Sequence, residues 1–361
     1  MGDAAVLQGR VSQLLREYRI PSAAVGVLRD SEISVFAVGV RNVTTREPAT
    51  TDTIYQLGSM SKTWTALAFM QLVDEGRVDL DEPVRAYLPG FRVADPIASA
   101  GITPRHLLNH ANGIEEAFGD PGEGDDAYER MVADIADAPQ VFPVGATHGY
   151  SASLGYAILA RIMEVLDDRP WDAVMRARLF DPMGLTSTSS LREDVERDRA
   201  ATGHVLRSLA EGPIVAPVPY LPRLYGPGGN VSSTAMDVLT MAEVFLNGGV
   251  APNGACILSP ASIREMTESR VPVPDPYMHR RPAPPRKARS WRQSTGETRI
   301  RLPSGSATTK VRPNTSSCGS STTRTPFFIH WACMSSIRAA PPKTMSPTSL
   351  TRGVDGTACS L

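Results

Sequence analysis

Between Gly58 and Gly76 the residues Trp64, Ala66, Leu67, Ala68, Phe69, Met70, Leu72 and Val73 fall on nearly every side of a helix. A helix without a polar face has no side to turn to water, so it is expected at the centre of a domain. Gly76 stands where a C′ glycine ends a helix by turning left-handed. The rest of the fold has to wrap around this segment.

The residues ahead of this helix read as a strand pair. Residues 22–30 and 32–41 are two apolar, β-prone runs separated by the polar turn Arg29-Asp30-Ser31-Glu32, which predicts a hairpin. Ahead of them, Val6, Leu7, Val11, Leu14 and Leu15 have helical spacing. Beyond Gly76 the chain is mainly helical, with segments expected at 103–110, 126–136, 153–166 and 170–179. A further helix is expected from Thr234 to Leu246, opened by a capping box of Thr234 and Asp237 and stopped by Gly248. No internal repeat is visible. A hairpin, a long helical block and a return to mixed structure indicate an α+β fold, an antiparallel sheet flanked by helices with a mostly helical subdomain over about residues 77–215.

The composition breaks near residue 276. Residues 277–361 hold 14 Lys and Arg against only Glu297 and Asp355, together with 25 Ser and Thr, 9 Pro and three of the four cysteines. The residues before them carry a net charge of −13. The expected division is therefore a folded domain over 1–276 and a basic tail over 277–361. Three readings of that tail stand side by side: a disordered basic arm, a folded tail of unusual composition, or a change of reading frame near residue 276. GC-rich DNA read out of frame tends to give Arg, Pro, Ser, Thr and stray Cys with few acids.

Averaged over all 361 residues the net charge is −1, which gives no reason to expect a nucleic-acid or membrane partner. No run of 18 apolar residues is present, so no spanning helix is expected. Met1-Gly2-Asp3-Ala4-Ala5 lacks a basic region leading into an apolar stretch, which points to a cytoplasmic protein. The cysteine spacings match no zinc pattern, and neither a metal nor an organic cofactor is expected. Gly228-Gly229 lacks the strand, loop and Gly-Lys context of a phosphate loop.

Chemistry enters at the start of the apolar helix. Ser59 and Lys62 form Ser-x-x-Lys, and a separation of three residues puts both side chains on one helix face. A hydroxyl is a poor nucleophile until a base takes its proton. A lysine can serve when burial disfavours its ammonium. The positive end of a helix beside the serine would favour a developing oxyanion. The same tetrapeptide also fits a plain structural role, with Ser59 as an N-cap. Residue 61 is serine and residue 62 lysine, so the Gly-x-Ser-x-Gly elbow of α/β-hydrolases is excluded.

The surroundings of Ser59 carry more. Gly58-Ser59-Met60-Ser61-Lys62, the apolar helix and Gly76-Arg77-Val78-Asp79-Leu80-Asp81-Glu82-Pro83-Val84 resemble the serine β-lactamase and penicillin-binding-protein superfamily. The nearest branch is that of class C β-lactamase-like esterases and D-amino-acid peptidases. Ile20 to Val25 is similar to the family's opening strand, and Ile102 to Ile114 to its I-T-x-R-x-L-L-x-H-x-S-G-L stretch. Phe180 to Thr188 and Pro227 to Asp237 match later segments, so the resemblance covers roughly residues 6–270.

The resemblance implies a β-lactamase/transpeptidase-like fold and an acyl-enzyme on Ser59, with Lys62 as base. Its second motif, Tyr-x-Asn, falls on Tyr150-Ser151-Ala152, which makes Tyr150 a base or proton relay. Tyr156 is the alternative, at the position of a family core aromatic. Ala152 stands where the family has an asparagine that binds substrate carbonyls, and the segment is one residue longer than usual. Ser151, Ala152 and His148 are the implied substrate-binding positions, with His148 either at the mouth of the site or on the surface. The third motif, Lys/His-Ser/Thr-Gly, is not found. Gln293-Ser294-Thr295-Gly296 lacks the cation and Lys343-Thr344-Met345 lacks the glycine. Its loss bears on the oxyanion hole and on the closing strands of the sheet. His110 is expected to pack near a turn, and the acidic run from Glu115 to Asp126 to be a solvated loop.

The expected function is a serine hydrolase acting on a small-molecule ester, a β-lactam or a D-amino-acid peptide, with no nucleic-acid or membrane partner. The alternative is a catalytically impaired relic or binding protein that keeps the helical block without the third motif.

Overall fold

The computed structural model describes residues 2–29, 32–116, 119, 122–217 and 221–268. The expectations for the tail at 277–361 and for the two near-matches to the third motif lie outside these residues.

The chain opens with helix α1 (Gly2–Glu17), followed by strands β1 (Ser22–Arg29) and β2 (Glu32–Gly39). The two strands pair antiparallel from Ser22↔Gly39 to Arg29↔Glu32, as the polar turn predicts. Gly39 has φ +92° and lies against the Pro21 carbonyl, a position that leaves no room for a Cβ. Strand β3 (Tyr55–Gln56) and a 3₁₀ turn (Gly58–Met60) lead into α2 (Ser61–Asp74).

Helices α3 (Val84–Tyr87), α4 (Pro96–Gly101), α5 (Pro104–Leu108), α6 (Ala127–Asp134), α7 (Leu154–Asp167) and α8 (Trp171–Met175) form the helical block. A π-turn at Arg176–Phe180 and α9 (Asp181–Met183) close it. Strands β4 (His204–Leu206), β5 (Pro213–Val215) and β6 (Ser232–Ser233) and helices α10 (Ala235–Leu246) and α11 (Pro260–Thr267) complete the described chain. β4 pairs with β5, and β3 with β6, both antiparallel. α1 and α10 pack on the β1–β2 hairpin. This is the expected α+β arrangement, with small antiparallel sheets among the described residues.

The apolar helix sits where its sequence requires. Trp64, Leu67, Ala68, Phe69 and Leu72 of α2 have no exposed surface. They pack with Ile158, Leu159, Ile162 and Met163 of α7 and with Trp171 and Val174 of α8 in one continuous core. A core leucine of this kind contributes about 2 kcal/mol by burial. Gly76 has φ +68°, as a C′ glycine should.

One expected detail is corrected. Thr234 caps α10 by accepting the Asp237 N–H at 3.3 Å, but Asp237 does not return the bond. Its carboxylate instead accepts from the Ser187 N–H at 3.0 Å and the Thr188 hydroxyl at 2.8 Å. A long-range partner outcompetes the local box.

Candidate active site

Ser59 lies in the 3₁₀ turn before α2, and the α2 N-cap position is Met60 with no side-chain cap. The Ser59 hydroxyl is therefore not capping the helix. Its Oγ accepts from Tyr150 Oη at 2.6 Å and from Lys62 Nζ at 3.2 Å. Two residues, one 3 and one 91 positions further along the chain, thus converge on a single oxygen.

The two partners differ in exposure. Lys62 is only 4% exposed, whereas Tyr150 is 47% exposed. A buried ammonium needs partners. Lys62 Nζ finds a second one in the Gly228 carbonyl at 3.0 Å, and it lies 4.9 Å from the centre of the Tyr150 ring and 5.7 Å from that of Tyr156. The last two are cation–π contacts.

Gly228 belongs to the turn Gly226–Asn230, a π-helical segment that the Gly-Pro-Gly-Gly-Asn sequence makes possible. A Cβ at 228 would stand 2.9 Å from the Ala152 carbonyl and 3.4 Å from Lys62 Nζ, so glycine is what lets this turn approach. The turn is also stitched to the start of α2. The Leu57 N–H donates to the Val231 carbonyl at 2.7 Å, and the Val231 N–H donates to Ser61 Oγ at 3.0 Å. Thr65 Oγ1 donates to the Pro227 carbonyl at 2.9 Å.

Arg223 holds the other end of this turn. It bonds Asp172 at 2.7 Å and Asp125 at 2.9 Å, and its N–H reaches Glu123 at 3.0 Å. Burial pushes the Asp172 carboxyl up to about 6, and the neighbouring Arg223 charge offsets only part of that.

The segment that carries Tyr150 is held from behind. The His110 ring stacks on the Tyr150 ring with centres 4.7 Å apart, and its Nδ1 accepts the Ser151 N–H at 3.1 Å. Burial, with the nearby Lys62 charge and then His148, pushes His110 down to about 3, so it stands as neutral imidazole. His110 itself has φ +56°, an unusual backbone for a residue with a Cβ. The expected packing role for His110 is what the geometry gives, with a hydrogen bond added.

Of the implied substrate-binding positions, Ala152 is exposed beside Tyr150. Ser151 is buried, with its hydroxyl donating to Glu116 at 2.6 Å and accepting the Gly155 N–H at 3.1 Å. His148 is half-buried, and its ring meets that of His110 edge-on at 5.5 Å. Tyr156 is a core residue whose hydroxyl donates to the Leu108 carbonyl at 3.3 Å, and burial pushes that hydroxyl up.

In the acidic run Glu123, Asp125 and Asp126 are exposed, as a solvated loop requires, and the expectation is corrected at Glu116. Glu116 Oε1 accepts from Ser151 Oγ, from the Ser153 N–H at 2.8 Å and from the Leu154 N–H at 3.1 Å, at the start of α7. A carboxylate suits the N-terminal N–H groups of a helix. Sequence alone offers no signal for this, because the contact spans a loop of unpredictable path. Among the described residues no group of His, Cys, Asp and Glu is arranged to hold a metal ion. Among the same residues no helix is long and apolar enough to cross a membrane.

A family model described as Beta-lactamase matches residues 7–293, most of the chain. The chain belongs to this family. Penicillin-binding protein 4 of Amycolatopsis lactamdurans is 42% identical over 268 residues, covering 74% of this chain and 70% of that protein. Esterase EstB of Burkholderia gladioli is 31% identical over 218 residues, covering 54% of each. Among solved structures, the octameric penicillin-binding protein homologue from Pyrococcus abyssi is similar with a TM-score of 0.63 and 25% identity, covering 75% of this chain and 61% of that one. By family membership the chain is a hydrolase of the serine beta-lactamase-like superfamily.

Proposed function

We propose that the chain cleaves an ester or an activated amide, including a β-lactam, through an acyl-enzyme on Ser59. The reading is carried by the convergence of Tyr150 Oη and Lys62 Nζ on Ser59 Oγ. In the resting arrangement Ser59 Oγ accepts from both. Attack requires the reverse: Ser59 donates its proton to whichever partner has lost one, and its oxygen bonds the substrate carbonyl carbon. The bond from the carbonyl carbon to the leaving group then breaks as that group takes the proton; water next attacks the acyl carbon, gives its proton to the same base, and Ser59 takes the proton back as its bond to the acid breaks. The Ser59 N–H, at the opening of a helical turn where N–H groups lack helical partners, is suited to the developing oxyanion. Ala152 offers no side-chain donor at the mouth, which favours small esters over peptides. The names of the penicillin-binding and esterase relatives agree with this range of substrates.

Ser59→Ala is expected to abolish labelling by a fluorophosphonate probe and turnover of a p-nitrophenyl ester. Equal labelling of both proteins would remove Ser59 from its role. The absence of the third motif from the sequence favours one other reading, a binding protein that keeps the helical block. It predicts no turnover of an ester, nitrocefin or a D-Ala-D-Ala peptide while Ser59 is intact.

A further inference from the structure

Tyr150 is exposed, yet its hydroxyl sits 2.6 Å from Ser59 Oγ. An exposed tyrosine has two free side-chain torsions and a loop backbone, so something has to fix both. Ser151, the next residue, is 5% exposed, and both its N–H and its hydroxyl are bonded. Its N–H donates to His110 Nδ1 at 3.1 Å, its Oγ donates to Glu116 at 2.6 Å, and that Oγ accepts the Gly155 N–H at 3.1 Å. Glu116 then ties the same point to the first turn of α7 through the N–H groups of Ser153 and Leu154. His110 acts twice, because the ring that accepts the Ser151 N–H also lies under the Tyr150 ring, tilted by 35°. The backbone on one side of Tyr150 and the face of its ring are thereby both set.

We propose that Ser151, held between His110 and Glu116, anchors the Tyr150 hydroxyl against Ser59, so that these three are positioning residues for proton transfer. The inference rests on the acyl-enzyme reading for its consequence and on geometry for its substance. None of the three touches the reacting atoms. They act by denying Tyr150 other places to be, and a displacement of about 1 Å at such a group lowers rates by up to about a hundredfold.

The test uses the full chain labelled with 3-fluorotyrosine, with Tyr150→Phe identifying the Tyr150 fluorine resonance. Ser151→Ala is expected to shift or broaden that resonance. The same variant should slow Ser59 acylation by p-nitrophenyl acetate about tenfold or more at unchanged KM. Ser151→Thr, which keeps the hydroxyl, is expected to keep both readouts at their wild-type values, whereas His110→Asn, which offers Oδ1 as an acceptor but removes the ring under Tyr150, is expected to shift the resonance. Should Ser151→Ala fail to fold, Glu116→Ala, which removes the acceptor of the Ser151 hydroxyl, carries the same test. An unmoved resonance, or a moved one with an unchanged acylation rate, overturns the proposal. If Ser59→Ala leaves acylation intact, the acyl-enzyme reading fails instead, and the resonance alone decides the anchoring.

Discussion

The carbonyl oxygen of Gly228 accepts a hydrogen bond from Lys62 Nζ at 3.0 Å, which joins a late turn of the chain to the buried ammonium beside Ser59. The contact depends on the missing side chain at 228. Gly228→Ala would place a Cβ 2.9 Å from the Ala152 carbonyl and 3.4 Å from Lys62 Nζ. The turn has to retreat, and Lys62 loses its acceptor. Acylation of Ser59 is expected to fall by about tenfold or more, with the circular-dichroism spectrum unchanged. A variant that acylates at the wild-type rate would show that Lys62 does not need this carbonyl.

Tyr150→Phe separates proton transfer from packing. The ring stays on His110 and only the hydroxyl is lost, at a residue 47% exposed. Stability should change by no more than about 0.5 kcal/mol. Ester turnover should fall about a hundredfold, the usual scale for a positioned acid or base. Urea midpoints and burst kinetics on the same preparation give both numbers, and retention of full turnover would pass the role to Lys62 alone.

His110 predicts an acid-sensitive fold. Its value is about 3 in the folded protein and near 6.5 for an ordinary histidine, because burial and the Lys62 charge oppose protonation. His148 also faces it, with the rings of Tyr150 and Tyr156. Between those two values the unfolded chain binds the extra proton. Stability is therefore complete above about pH 6.5 and falls with decreasing pH, by at most about 1.4 kcal/mol per unit from this group. His110→Asn should flatten that limb of a plot of urea midpoint against pH from 7 to 4. Parallel curves for the two proteins would contradict it.

Arg223 and Asp172 predict the opposite slope. The folded Asp172 carboxyl is raised to about 6 from an ordinary value of 3.8, so its share of stability is full below the lower value and is lost as pH rises through 6. Arg223 limits that loss by pairing at 2.7 Å. Arg223→Met leaves a buried carboxylate without its ion pair and should cost about 3–5 kcal/mol at pH 7, less at pH 5. Asp172→Asn in the same background should recover part of it. Stability of Arg223→Met that does not depend on pH over this range would show that Asp172 is not the group responsible.

The sequence made some of this architecture readable and concealed the rest for identifiable reasons. The buried helix α2, the β1–β2 hairpin and the glycine stop at 76 rest on local pattern, and pattern survives in a linear string. The spacing of Ser59 and Lys62 put both on one face, but only the resemblance of the surrounding segments separated that pair from a plain helix cap. Tyr150 depended on a resemblance, since nothing local distinguishes it from Tyr156. Glu116 and the second role of His110 were invisible. Their contacts cross loops, and a glutamate in an acidic run looks like a solvated one until the fold brings N–H groups to it. The Thr234–Asp237 box shows the converse, a local signal overridden when Ser187 and Thr188 came within reach.

The stitch between Leu57, Val231 and Ser61 has a consequence for amide hydrogen exchange. Leu57 is 6% exposed and Val231 is fully buried, and each N–H is held across the two segments rather than within one of them. Neither amide can exchange unless the start of α2 and the glycine-rich turn come apart, and the core packed on α2 opposes that opening. The two protons should exchange together, at the rate of global unfolding. Slow, coupled exchange of these two amides would show that the Ser59 side of the site opens only with the core packed on α2.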